Sequence, residues 1–239
     1  MIKKLMWIVS IIALAGTGIA LQFLPDSVPM HYDMAGNIDR WGSKYEQFIF
    51  PALIIVISLF WTLFIRYFEK KASRSTDEKT IAEAGSNAKI LSIVGLAMAV
   101  MFTIMHAFFL YGSYVEAGNN ATSASVNTGK ITFILLGVMM IIIGNFMTKT
   151  RINGAVGLRV SWSMYNDNTW RKSNFFAAVL IMITGVLIII VSVFIDNNPV
   201  LGAVTVGLIV LCAILSVIYA HKVYVREIEA EKNSNLTKM

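Results

Sequence analysis

The side chains of this chain that could do chemistry lie in two polar stretches. The first, Pro25 to Gln47, reads PDSVPMHYDMAGNIDRWGSKYEQ. Met30, Tyr32 and Met34 alternate there with His31 and Asp33, the pattern of a half-buried strand. His31 and Asp33 then share one side of that strand, and Asp39 approaches them across a turn at Gly36 and Asn37. An imidazole beside two carboxylates could bind a divalent cation or set a general acid next to a base. The same side chains could instead hydrogen-bond the loop to itself and to nearby helix ends, because His-x-Asp is a common spacing and no third ligand is fixed. Pro25 and Pro29 stop helix and stiffen the start of the loop, and Lys44 adds a cation near its end. Trp41 and Tyr45 carry amphipathic rings suited to a lipid–water boundary.

The second stretch, Lys149 to Asn174, reads KTRINGAVGLRVSWSMYNDNTWRKSN. Gly154 and Gly157 allow sharp turns. Trp162, Met164 and Tyr165 are expected to rest at the bilayer boundary while Arg159, Arg171 and Lys172 meet anionic headgroups. The functional alternative is a docking surface for a cytoplasmic protein, with Trp162 and Trp170 beside arginines as its anchors. Asn145, polar at the end of the preceding apolar run, is expected to make an interhelical or capping hydrogen bond. Cys212 is the only cysteine, which excludes an intrachain disulfide, a thiolate zinc cluster and a CxxC pair. No phosphate-cradling glycine loop, His-Glu-x-x-His helix or Gly-x-Ser-x-Gly elbow occurs, and the reading is of a non-enzyme with no cofactor.

The elements that position these stretches follow from composition. Of 239 residues, 56% are hydrophobic and 14% charged, too little polar surface for a water-soluble core. Apolar runs of spanning length occur at about Leu5 to Leu24, Phe48 to Phe68, Lys89 to Tyr111, Ile131 to Thr148, Phe175 to Ile195 and Val200 to Ala220. At 1.5 Å per residue, runs of this length reach roughly 30 Å, the thickness of the hydrocarbon. Only helices satisfy the backbone in segments so long and so uniformly apolar. The predicted fold is all-α: a polytopic membrane bundle of six transmembrane helices. The first run has the basic start of a signal peptide but no small-residue cleavage site, so it is read as an uncleaved span.

Lys3 and Lys4, the connector from Arg66 to Lys89, the connector with Lys149, Arg151, Arg159, Arg171 and Lys172, and the tail with Lys222, Arg226, Lys232 and Lys238 hold most of the basic residues. These alternate segments are expected in the cytoplasm, with both termini. Basic residues spread between spans in this way orient a membrane protein, so the net charge of +6 does not imply direct nucleic-acid binding. The chain divides into an N-terminal helical hairpin (1–68) with a folded outer loop (25–47), a charged connector (69–88), the third and fourth spans (89–148), the basic and aromatic connector (149–174), a C-terminal hairpin (175–221) and a tail (222–239) that continues the last helix. Small-solute transport is a remote alternative, because the spans are nearly bare of ionisable groups. His106 is the exception, read as an interfacial hydrogen-bonding group or a proton relay. Gly95 and Ala99 have the small-xxx-small spacing of close helix packing.

At these two polar stretches the chain resembles a known family. LPDSVPMHYDMAGNIDRWGSK is similar to the extracytoplasmic motif of the bacterial SdpI family, in which LP, P-x-H, G and a later SK recur; GNFMTK, VGLRVSW and WRKSN resemble that family's signature before its fifth span. The residues that match are Leu24, Pro25, Pro29, His31, Gly36 and Lys44 in the first, and Gly144, Asn145, Gly157, Arg159, Trp162, Trp170, Arg171 and Lys172 in the second. Val160 and Ser161 stand where the family usually has proline after Gly-x-Arg-Thr, and Asn174 and Phe175 where it often has His-Arg. The resemblance implies a multi-pass protein of the bacterial cytoplasmic membrane that gives immunity to a secreted membrane-active peptide toxin. It further implies that a toxin-bound member captures a cytoplasmic transcriptional repressor. The partners expected are thus the lipid bilayer, a peptide toxin and such a repressor.

Overall fold

The structure, a computed structural model, describes residues 1–33, 35–149, 152 and 156–237. Met34, Arg151, Gly154 and Lys238, each of which entered the sequence reading, lie outside the described residues. Six helices are long and apolar enough to cross a membrane: α1 (Ile2–Ala20), α2 (Ile49–Arg74), α3 (Glu78–Gly118), α4 (Thr128–Met147), α5 (Asp167–Phe194) and α6 (Asn198–Thr237). Between α1 and α2 lie two strands, β1 (Ser27–Tyr32) and β2 (Ile38–Ser43), followed by a single 3-10 turn at Lys44–Phe48. Within the most apolar stretch of each helix only 17% to 33% of residues are buried by protein. Lipid must cover the rest, and the chain is a multi-pass membrane protein. With six crossings, the N-terminus and the last helix's free end fall on the same face of the bilayer.

Helix starts are written in side chains that satisfy orphan amides. Asp77 accepts from the Thr80 amide at 2.9 Å to open α3, and Asn127 accepts from the Lys130 amide at 2.9 Å to open α4. At α5 Asn166 and Thr169 form a reciprocal capping box. Inside the spans, hydroxyls bond back to the carbonyl one turn earlier, as Thr17 does to Ala13 and Ser192 to Ile188. Two polar contacts also tie α1 to α2: Ser10 and Ser58 share a hydrogen bond at 2.8 Å, and the Trp7 indole donates to the Thr62 hydroxyl at 3.0 Å.

α1, α2 and α3 pack on one another, α3 leads to α4, and α4, α5 and α6 form the second half. Gly95 and Ala99 do face neighbours: a Cβ on Gly95 would meet Trp61 and Met6, and Ala99 is buried with Met6, Ala13 and Ile54. The closest backbone approach lies elsewhere. A Cβ on Gly137 would sit 2.6 Å from the Gly185 carbonyl oxygen, and one on Gly185 2.5 Å from that of Gly137. α4 and α5 touch backbone to backbone there, the kind of contact that substitutes for the missing hydrophobic drive in lipid.

The expected charged connector, 69–88, is nearly all helix. α2 runs to Arg74 and α3 starts at Glu78, so only Ser75, Thr76 and Asp77 lie between them. Hydropathy marks where the bilayer ends, whereas charged residues of good helix propensity continue a helix into water. α3 likewise runs on to Gly118, beyond the predicted end near Tyr111, and α6 continues past Lys222 to Thr237.

Candidate functional site

The loop between α1 and α2 is a hairpin, as its alternation predicts. β1 and β2 pair antiparallel, with Ser27 opposite Ser43 and Pro29 opposite Trp41, and irregular pairing around His31. Gly36 closes the turn at φ +86°, a conformation that favours glycine. Val28 is fully buried, with Leu21 and Leu24, against Phe48 and Leu110, which seats the hairpin on the helix ends. Pro29 is buried while Pro25 is exposed. Lys44 pins the base of the hairpin, donating to Asp26 at 3.0 Å and to the Leu24 carbonyl at 3.3 Å. Trp41 and Tyr45 are both exposed.

The three candidate ligands divide. His31 Nδ1 and Asp39 Oδ1 meet at 2.6 Å, and both side chains are open to solvent. Asp33 instead caps the turn, accepting from the amides of Ala35 and Asn37 and from the Asn37 side chain at 2.8 to 2.9 Å. Those hydrogen bonds, Asn37's first, hold its carboxyl below the usual range. Among the described residues no group of three or more His, Cys, Asp or Glu is placed to hold a metal ion.

A second wall comes from the connector after α3. The Ile38 amide donates to the Thr122 carbonyl at 2.9 Å and the Ala124 amide to the Gly36 carbonyl at 2.8 Å, so the connector adds an edge to the hairpin turn. Beneath this junction Glu116 is 1% exposed. Its carboxylate accepts from the Tyr32 hydroxyl and from the Ser125 amide, each at 2.6 Å. Burial, and then the carboxylate it donates to, push the Tyr32 phenol well above its ordinary value. Sequence reading passed over Glu116, whose one signal was an acidic residue a turn past the third apolar run.

The third wall is the turn between α5 and α6. Lys130, at the start of α4, reaches Asp196 at 2.7 Å and the Val193 carbonyl at 3.1 Å. The Asn198 side chain lies so close to Gly129 that a Cβ there would come within 2.8 Å of it.

These walls surround a cleft of about 1400 Å³. Phe50, Phe109 and Phe133 give it an apolar floor, and Asp33, Arg40 and Asp196 stand among the polar lining. Pro29, His31, Asp33 and Gly36 line it, Asp39 reaches it through His31, and Pro25 and Lys44 stand outside the lining. Under the floor the Phe50 ring stacks on His106, ring centres 5.2 Å apart and planes 4° apart. His106 is buried and its Nε2 lies 2.8 Å from the Thr17 hydroxyl, which joins α3 to α1. Apolar below and polar around the sides, the cleft can take an amphipathic ligand of peptide size.

At the opposite end the basic and aromatic connector folds back on the bundle. Gly157 sits at φ +125°, and a Cβ there would strike the Asn174 side chain and the Trp170 ring. The Asn174 amide side chain accepts from the Leu158 amide at 2.7 Å and donates to the Trp170 carbonyl at 3.1 Å. Trp170 is 1% exposed. Trp162 packs edge-on against His221, Tyr165 against Tyr224, and the Tyr165 hydroxyl donates to Glu231 at 2.8 Å. The aromatic residues are therefore not free anchors: they fasten the connector to the extension of α6. Arg159, Arg171 and Lys172 remain exposed. Asn145 is exposed, and among the described residues its side chain makes none of the hydrogen bonds expected of it.

The SdpI/YfhL protein family model matches residues 149–220, the connector and the two helices it is tied to. Over that region the chain is similar to the SdpI/YfhL family. Residues 8–55, most of α1 with the hairpin, match a second model described as Domain of unknown function (DUF1648). The immunity protein SdpI of Bacillus subtilis (strain 168) is 23% identical over 207 residues, covering 86% of this chain and 87% of the relative. No solved structure gives a significant match. The region 8–55 carries the hairpin wall of the cleft; the region 149–220 carries the closed connector opposite and also the α5–α6 turn that forms the cleft's third wall.

Proposed function

We propose that this is a membrane immunity protein that protects the cell carrying it from a secreted, membrane-active peptide toxin, acting by binding and not by catalysis. The observation that carries the reading is the cleft: a large amphipathic recess walled by folded loops, on a chain alike along most of its length to an immunity protein. In this reading the hairpin end faces outward and both termini lie in the cytoplasm, since most basic residues fall at the other end. The toxin seats on the apolar floor, with His31, Asp33 and Arg40 at its polar side. The exposed cations Arg159, Arg171 and Lys172 supply a surface on which a cytoplasmic transcriptional repressor docks.

The test is survival. A sensitive strain expressing the wild-type chain, His31→Ala or Arg159→Ala is challenged with the toxin. Wild type is expected to protect, and His31→Ala to protect less while reaching the membrane in equal amount. Killing unchanged by the wild-type chain removes the reading. Co-purification of a repressor with wild type but not with Arg159→Ala tests the docking surface separately.

A further inference from the structure

At the end of the bundle away from the cleft, α1 and α2 leave a notch of about 340 Å³ lined by Lys3, Lys4, Trp7, Thr62 and Arg66. Its floor is fixed, because the Trp7 indole donates to Thr62 at 3.0 Å and the Thr62 hydroxyl donates to the Ser58 carbonyl at 2.7 Å. Lys3 is spoken for by Glu69, at 2.6 Å. Among the described residues no carboxylate stands within ion-pairing distance of Lys4 or Arg66. Three cations against one carboxylate leave a pocket that attracts an anion. An arginine fork beside a lysine suits a phosphate, which takes both a paired and a single donor.

The position decides which phosphate. Lys3 and Lys4 lie in the first turn of α1, where the span meets the membrane boundary. A turn or two further in, Leu5 and Ile8 of α1 and Leu59 and Leu63 of α2 are exposed apolar side chains. A ligand seated in the notch therefore has charge at its head and hydrocarbon beside its tail. We propose that this notch binds the phosphate headgroup of an anionic phospholipid, held by Lys4 and Arg66 over the Trp7–Thr62 floor.

The experiment uses the full chain in detergent, equilibrated with equal amounts of phosphatidylglycerol and phosphatidylcholine, with retained lipids counted by native mass spectrometry. Wild type is expected to retain phosphatidylglycerol in preference, and Lys4→Gln with Arg66→Gln to retain on the order of tenfold less. Lys70→Gln with Lys71→Gln removes the same charge farther along α2 and is expected to retain as much as wild type. All four side chains are exposed, so both double variants should keep the wild-type circular dichroism. Equal retention by wild type and the Lys4/Arg66 variant, or equal loss in the Lys70/Lys71 variant, overturns the proposal. Inorganic phosphate bound without lipid, with the same dependence on Lys4 and Arg66, would place a free anion in the notch and overturn the lipid assignment.

Discussion

The two ends of the bundle use similar residues to opposite effect. Around the cleft, Tyr32 bonds to Glu116 and Gln47 to Ser113, which fixes the hairpin and the turn after it on α3 while a recess stays open beside them. Across the membrane, Trp162, Tyr165, Trp170 and Asn174 bond to their own connector and to α6 and close the surface. The contrast is one of partners. Around the cleft the loops bond to α3 and to one another at their edges, whereas the connector's aromatic rings pack on the extension of α6 and draw it flat. Aromatic content alone therefore says little about which end receives a partner.

The comparison breaks most readily at Glu116. Glu116→Ala deprives the half-buried Tyr32 hydroxyl and the Ser125 amide of their charged acceptor, a loss of about 3 kcal/mol. A lower melting temperature in detergent and faster hydrogen exchange over 119–127 would show it. An unchanged melt would mean that the walls stand without their keystone.

Gly157→Ala attacks the closed end. A side chain at φ +125° is strained, and its Cβ would displace Asn174 and Trp170, at a cost of about 2 kcal/mol. The melting temperature should fall while the hydrogen exchange of the hairpin is unaltered, which would show that the two ends are independent.

Alkali sharpens the picture at Tyr32. Its phenol binds its proton more tightly in the folded protein than in the unfolded chain. This contribution is fully present below the ordinary phenol value and is lost as pH rises through about 10 toward the raised folded value. Above about pH 10 the wild type should lose stability faster than Tyr32→Phe, followed by thermal melts across that range.

The smallest effects belong to the solvent-facing pairs. Lys130→Met removes an ion pair and His31→Ala a hydrogen bond to a carboxylate that is well exposed, and each should shift stability by less than about 1 kcal/mol. A near-native melt for His31→Ala together with lost protection would assign His31 to binding and not to folding.

Much of this molecule was determined along the chain itself. Apolar length set the six spans, because lipid rewards any segment that hides its backbone. Alternation and Gly36 set the hairpin, because a strand's period and a positive φ are local properties. The caps at Asp77, Asn127 and Asn166 are equally local, each meeting an amide three residues on. Only the tertiary structure decided that Glu116 meets Tyr32 across 84 residues of sequence, that Gly137 rather than Gly95 makes the closest helix contact, and that Trp170 is buried. In lipid a helix is apolar on every side, so no stripe in the sequence announces which face meets a neighbour. That choice rests on small residues, buried hydrogen bonds and the reach of the loops, which become visible only when the helices are set side by side.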